Sequence, residues 1–452
     1  MNQEVLTQPV VLASESDVSR LGILRSYVPA AAAVFASLIL VFARIYLGGD
    51  RFISDGALMM LALACYLTAA VFYLTNFYAP FRFAERLGMW AATLGVFFNL
   101  ASWLVRWVAA YDREFEIFMQ QGRSAADMPW AFRYVPFANL YDLSLAFAFG
   151  AGITTLLVMR RHQFRLIAAL SLPLGAIILV LARFIGSELI DLPPVLDSYW
   201  RPIHVGIASL SYGIALVCFA VAVLYLLKDG LKVEKMAIWT SLFALAVFAT
   251  ISKFSVFAPS TFGTYTASTF VGSSRMSLAL RADIPFVGSL IVAGAVLLVG
   301  SVIAFAKDIN GLDQNSRRIG HRLLQAALLV QAAGIGLLVY QLKTLQNVLA
   351  LIDPAQYERF ATWMLQQESV PQAQINQIPA QQLYQMSSEW VQQNGTQLHL
   401  SLNANPVELS ALITAFAGTF FVVLFSFKTE RLREALPSAA TLDGLMYKLA
   451  GV

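Results

Sequence analysis

The sequence predicts an all-α polytopic membrane bundle of about ten transmembrane helices, with a helical extracytoplasmic insertion before the last. Three observations carry this. Of the 452 residues, 58% are apolar and only 13% charged, against about a quarter charged in soluble domains. Mean hydropathy is +0.66. The apolar residues also gather into stretches of about 20, the length that crosses a hydrocarbon core. The pI of about 9.0 comes from Arg and Lys concentrated in alternate loops, which is a topology signal and gives no reason to expect a nucleic-acid partner.

Residues 1–26 form a polar tail of mixed charge, and no apolar h-region marks a cleaved signal peptide. Ten spans follow, at about 27–48, 56–78, 88–110, 140–159, 165–185, 203–227, 237–257, 286–306, 323–343 and 408–427. Arg82 and Arg86 follow the second span, Arg160, Arg161 and Arg165 the fourth, and Lys228, Lys232 and Lys235 the sixth. Lys307, Arg317, Arg318 and Arg322 follow the eighth, and Lys428, Arg431 and Arg433 the tenth. The positive-inside rule then puts both termini in the cytoplasm. The chain divides into the tail 1–26, a bundle 27–343, an outer helical domain 344–407, the last span 408–427 and a tail 428–452. The outer domain alternates Gln-rich stretches with Phe360, Trp363, Met364 and Leu383. That pattern predicts short amphipathic helices that either clasp a partner or cap the bundle. Cys65 and Cys218 fall inside apolar segments and read as packing thiols. No P-loop or G-x-G-x-x-G after a strand supports nucleotide-driven transport.

The most informative stretch runs from Asp197 to Gly213, where Tyr199, Trp200 and His204 lead into the sixth span. This places an imidazole at the outer membrane boundary between aromatic neighbours. An imidazole beside an apolar shell suits haem ligation; an ordinary helix-end histidine is the bland alternative. Asn139 or Asp142 would cap the start of the fourth span. Arg44, Arg106 and Arg183 lie within or near span ends. Arg106 and Arg183, near outer ends, either snorkel to the interface or, with Arg275 or Arg281 and joined by Lys253, form a basic lining for an anionic headgroup such as a haem propionate.

Asp197-Ser-Tyr-Trp-Arg-Pro-Ile-His204-Val-Gly-Ile-Ala-Ser-Leu-Ser-Tyr-Gly213 resembles the stretch around the first external histidine of the CcsA/ResC cytochrome c biogenesis proteins. Arg106-Trp107 followed by Pro136-Phe-Ala-Asn139-Leu-Tyr141-Asp142 is similar to that family's R-W and P-x-x-N-L-Y-E pair, with Asp for Glu. The resemblance implies a haem-handling protein of c-type cytochrome biogenesis in a bacterial inner or thylakoid membrane, with cytoplasmic or stromal termini. It implies haem b as cargo, a ResB/CcsB-like membrane protein and apocytochrome c as partners, and membrane lipid around the bundle. His204 would ligate the haem iron, with Tyr199 and Trp200 flanking it. Asn139, Tyr141 and Asp142 match a family motif, and Arg106, Arg275 and Arg281 would face the propionates.

The chain also departs from that family. No Trp occurs from Thr240 to Thr362, where a tryptophan-rich loop is expected; Phe257, Phe262, Tyr265 and Phe270 stand there instead. No histidine closely follows the ninth span, so a second external ligand would have to be His399 in the outer domain. These absences leave a second expectation open: a family member without haem that serves as a structural or assembly subunit of a larger membrane complex.

Overall fold

The computed structural model describes residues 25–49, 52–79, 81–124, 126, 128–185, 198–252, 264–271, 276–283, 286–308, 313–344, 356–367, 370–394 and 407–451. Helices stand at all ten expected spans. They are α1 (Val28–Leu47), α2 (Asp55–Tyr78), α3 (Arg82–Gln120), α4 (Leu140–Met159) and α5 (Ala168–Ile185). They continue as α6 (Trp200–Lys228), α7 (Val233–Ser252), α8 (Val287–Lys307) and α9 (Gln314–Thr344). Three short helices follow, α10 (Tyr357–Gln367), α11 (Gln372–Ile375) and α12 (Ala380–Asn394). The chain closes with α13 (Val407–Ser426), α14 (Thr429–Ala435) and α15 (Ala439–Ala450). Among the described residues eight helices are by themselves long and apolar enough to cross a membrane, and a ninth if the bent pair α13–α14 is one span. This is a polytopic helical membrane protein.

Local chemistry sets several helix ends. Ser54 accepts from the Ala57 amide at 3.2 Å and so caps α2. Lys428, at φ 52°, turns the chain into the left-handed region, and α14 leaves α13 at 89°. Thr429 to Ala435 is charged on every side but its Leu432 stripe, so the turn keeps those charges out of the apolar layer.

Two helices run further than apolar content predicts. α3 has 39 residues, roughly 58 Å at 1.5 Å per residue, well beyond a bilayer's hydrocarbon thickness. Residues 111–120, expected as the start of a loop, are helical because Arg, Glu, Met and Gln favour helix even where they are polar. Likewise α9 begins at Gln314, through the basic segment before the expected span. Between α7 and α8, in a stretch rich in Ser, Thr and Phe, two antiparallel strands pair, β1 (Thr264–Val271) and β2 (Met276–Asp283), with Thr264 opposite Asp283.

Two apolar cores meet at α4 and α5. One joins α1, α2 and α3 to them through Tyr66, Tyr73, Val96 and Leu145. The other joins them to α6 through α9, α13 and the C-terminal helices through Val221, Leu224, Leu298 and Leu412. Tyr66 is completely buried between α3 and α4, in a cradle where a Cβ on Gly95 or Gly152 would collide with it at 2.5 and 2.2 Å. The short helices have a small core of Ala361, Leu365, Ile375 and Leu383. Phe360, stacked on Trp363 and edge-on to Trp390, belongs to the larger bundle core.

Candidate functional site

On the face opposite the basic loops, the start of α4 is built by its own sequence. The Asn139 side chain accepts from the Asp142 amide at 2.8 Å, and the Asp142 carboxylate accepts from the amides of Ala138 at 2.9 Å and Asn139 at 3.4 Å. This reciprocal capping box satisfies donors that the first turn would otherwise leave open. The other Asp142 oxygen accepts from Nε of Arg106 on α3. Arg106 also reaches Asp55 at 3.3 Å, the Tyr141 hydroxyl donates to the same Asp55 oxygen at 3.3 Å, and the guanidinium lies 4.6 Å from the Tyr141 ring centroid. Arg106 and Asp142 are each 2% exposed. A buried cation demands such partners; one guanidinium and two carboxylates therefore lock α2, α3 and α4 together.

The loop between α3 and α4 folds back on α3. Trp107 Nε1 donates to Ala131 O at 2.8 Å and Trp103 Nε1 to Pro136 O at 3.2 Å, while the Trp103 and Phe137 rings pack at 5.4 Å. The start of α6 docks on this loop. Arg201 donates to Arg133 O at 2.8 Å, and Val205 packs with Phe137 and Ala146. Deeper, Gly213 lies against the backbone of Gly150, where an added Cβ would stand 2.6 Å from backbone atoms. The two motif segments, 136–142 and 199–213, are thus brought into contact.

Docking fixes one side of α6 and leaves the other open. His204 is exposed, as are Tyr199 and Trp200 at 70% and 73%, with Ile203 and Ile207 on the same flank. This is an imidazole set in an aromatic and aliphatic stripe. Arg183 is exposed at the end of α5, and Arg44 is paired with Asp112 at 2.9 Å. Arg281 stands in β2 opposite Thr266. Arg275, His399 and Lys253 lie outside the described residues. Of the other histidines, His162 and His321 are on the basic face, beside Glu85 and Glu234 respectively. Among the described residues no group of three or more His, Cys, Asp or Glu side chains could hold a metal ion.

Asp55 and Trp103 belong to this assembly without having been singled out in the sequence. Asp55 could have been found only as the residue after a Ser N-cap; its pairing with Arg106 spans 51 positions and leaves no local pattern.

The fold and this junction define a polytopic helical membrane protein with a motif-built entry to α4 and α6. The family described as Cytochrome C assembly protein matches residues 137–452, and the chain belongs to that family. It is similar to cytochrome c biogenesis protein CcsA of Porphyra purpurea, 25% identical over 36% of this chain and 56% of that protein. It is also similar to CcsA of Synechococcus sp. (strain WH7803), 31% identical over 22% of this chain and 32% of that one. A third relative, CcsA of Prochlorococcus marinus (strain MIT 9301), is 29% identical over 21% of this chain and 33% of its own length. The chain thus spans about half or less of the curated relatives it matches. No solved structure matches it.

Proposed function

We propose that this protein serves c-type cytochrome biogenesis by holding haem on the face opposite its basic loops. We take that face to be the outer side of a bacterial inner or thylakoid membrane, with both termini on the cytoplasmic or stromal side and residues 344–407 an outer domain. Haem is cargo here: a flat apolar ring with two carboxylates and an iron that accepts imidazole. His204 would supply an axial ligand, and Tyr199 and Trp200 would flank the ring. Arg275 and Arg281 would meet the propionates, and His399 or a partner would provide the second ligand. Arg106, held by Asp142 and Asp55, would act by positioning α4 rather than by touching cargo. A ResB/CcsB-like protein and apocytochrome c would cover the open flank of α6.

The observation that carries the reading is the exposed imidazole of His204 in an aromatic stripe, its helix held from behind by Arg201 and Phe137. A second reading is supported by the charged motif residues, which serve packing: a member without haem, acting as a structural or assembly subunit of a larger complex. Absorption spectra of the detergent-purified protein, oxidised and reduced with dithionite, separate the two. A Soret band that shifts on reduction and is lost in His204→Ala is expected. No Soret band in protein from haem-replete cells, with c-type cytochromes still assembled in the His204→Ala strain, would overturn the haem reading.

A further inference from the structure

At the basic face a cavity of about 520 Å³ opens between the end of α4, the turn after it, α6 and the C-terminal helix α15. Its mouth carries Arg160, Arg161 and Lys448, and its inner wall is apolar, with Phe164, Ile214 and Leu445. Arg160 is half-buried with its guanidinium 4.5 Å from the Tyr27 ring centroid; Arg161 and Lys448 are exposed. Among the described residues none of the three cations has an acidic partner within 4.0 Å, although neighbouring basic side chains do: Arg165 with Glu85 and Arg317 with Glu234. Three uncompensated positive charges around one opening repel each other at a cost that a bound anion removes.

We infer that this cavity binds the phosphate of an anionic phospholipid, with α15 as one wall. The cations would meet the phosphate, and Leu157, 39% exposed, continues the apolar wall to the flank of the bundle where acyl chains would run. Lipid headgroups gather in such basic pockets between spans. No imidazole, thiol or thioether lines the cavity, and its one phenol, Tyr27, has its ring against the Arg160 guanidinium, so the lining suits an anion better than a haem iron. α15 packs beside α6, where Met446 O lies 3.9 Å from Cys218 Sγ, and brings Lys448 to the cavity. The site depends on no property of His204.

The full-length protein, purified in neutral detergent and delipidated, is titrated with phosphatidylglycerol, phosphatidylcholine or inorganic phosphate, and its thermal midpoint and retained lipid are read. Phosphatidylglycerol should raise the midpoint and phosphatidylcholine should not. Loss of one surface cation near a headgroup should weaken binding about five-fold, and Arg161→Gln with Lys448→Gln together about 30-fold. The double variant leaves Arg160 on Tyr27, and Arg161→Gln alone guards against a folding defect. Equal responses to both lipids, undiminished retention of phosphatidylglycerol in the double variant, or an equal response to inorganic phosphate would each overturn the proposal.

Discussion

Arg106 lies in a largely apolar helix with its guanidinium closed off from solvent between Asp142, Asp55 and the Tyr141 ring. Deleting one member of such a pair costs more than the pair contributes, because the other charge stays buried alone; about 3–5 kcal/mol is typical. Asp142→Asn keeps the side-chain shape and removes one of two counter-charges, leaving Asp55 at 3.3 Å from the guanidinium, so it should lower stability by about 3 kcal/mol, the low end of that range. Asn139→Ala loses only a cap and should cost about 1 kcal/mol. Thermal midpoints and yields in one detergent check the order; equal effects would mean that capping, not charge, is what Asp142 supplies. The cap was legible in the sequence, because an Asx residue three positions before an acid at a span's start is a local pattern. The counter-charges were not. Asp142 lies 36 positions and Asp55 51 positions from Arg106, and a lone arginine in an apolar stretch looks the same whether it snorkels, binds an anion or meets a distant acid.

Among the elements, α4 and α6 approach most closely where Gly150 meets Gly213. A Cβ on Gly213 would fall 2.6 Å from the backbone of α4, which cannot rotate away as a side chain can. Gly206, seven residues earlier in the same motif, would meet only the Phe137 ring, at 3.6 Å. Gly213→Ala should therefore force the helices apart and cost about 1–3 kcal/mol, as overpacking does, while Gly206→Ala should be nearly neutral. Circular-dichroism melts of both variants test this, and a harmless Gly213→Ala would mean that α4 and α6 separate freely. Span positions were legible because apolar length follows from bilayer thickness. Helix ends were not: α3 and α9 continue into water through residues chosen for helix propensity, which hydropathy does not read. The strand pair β1–β2 was missed for a related reason. Its Thr, Ser and Phe residues carry a strand preference, but a Ser- and Thr-rich segment between spans also fits an irregular loop.

At the scale of the molecule, the family match begins at residue 137, yet the charges that complete its first motif come from α2 and α3, before that point. Buried charge thus ties α2 and α3 to α4 on the non-basic face, and on the basic face the joints are also polar. The Tyr78 hydroxyl on α2 donates to Leu424 O on α13 at 2.8 Å, and Arg433 donates to Leu227 O and Leu231 O, each at 2.9 Å. Glu234, in the first turn of α7 and below its apolar span, takes Arg317 at 2.6 Å and His321 at 3.1 Å from α9. Burial by itself would raise the Glu234 pKa, but the hydrogen bond from His321 and the charge of Arg317 outweigh it and bring it down to about 2, from an ordinary 4.5. A carboxyl with a depressed folded-state pKa stabilises the fold fully above its unfolded value, and that stability is lost as pH falls toward the folded value. The α7–α9 joint should therefore hold constant above about pH 5 and weaken progressively from there toward pH 2. Glu234→Gln removes the titrating group, so the gap in thermal midpoint between wild type and this variant should be flat from neutral pH to about 5 and close on further acidification. A gap that persists unchanged to pH 3 would show that Glu234 acts through packing or neutral hydrogen bonds, and that the charge of Arg317 adds nothing to the joint.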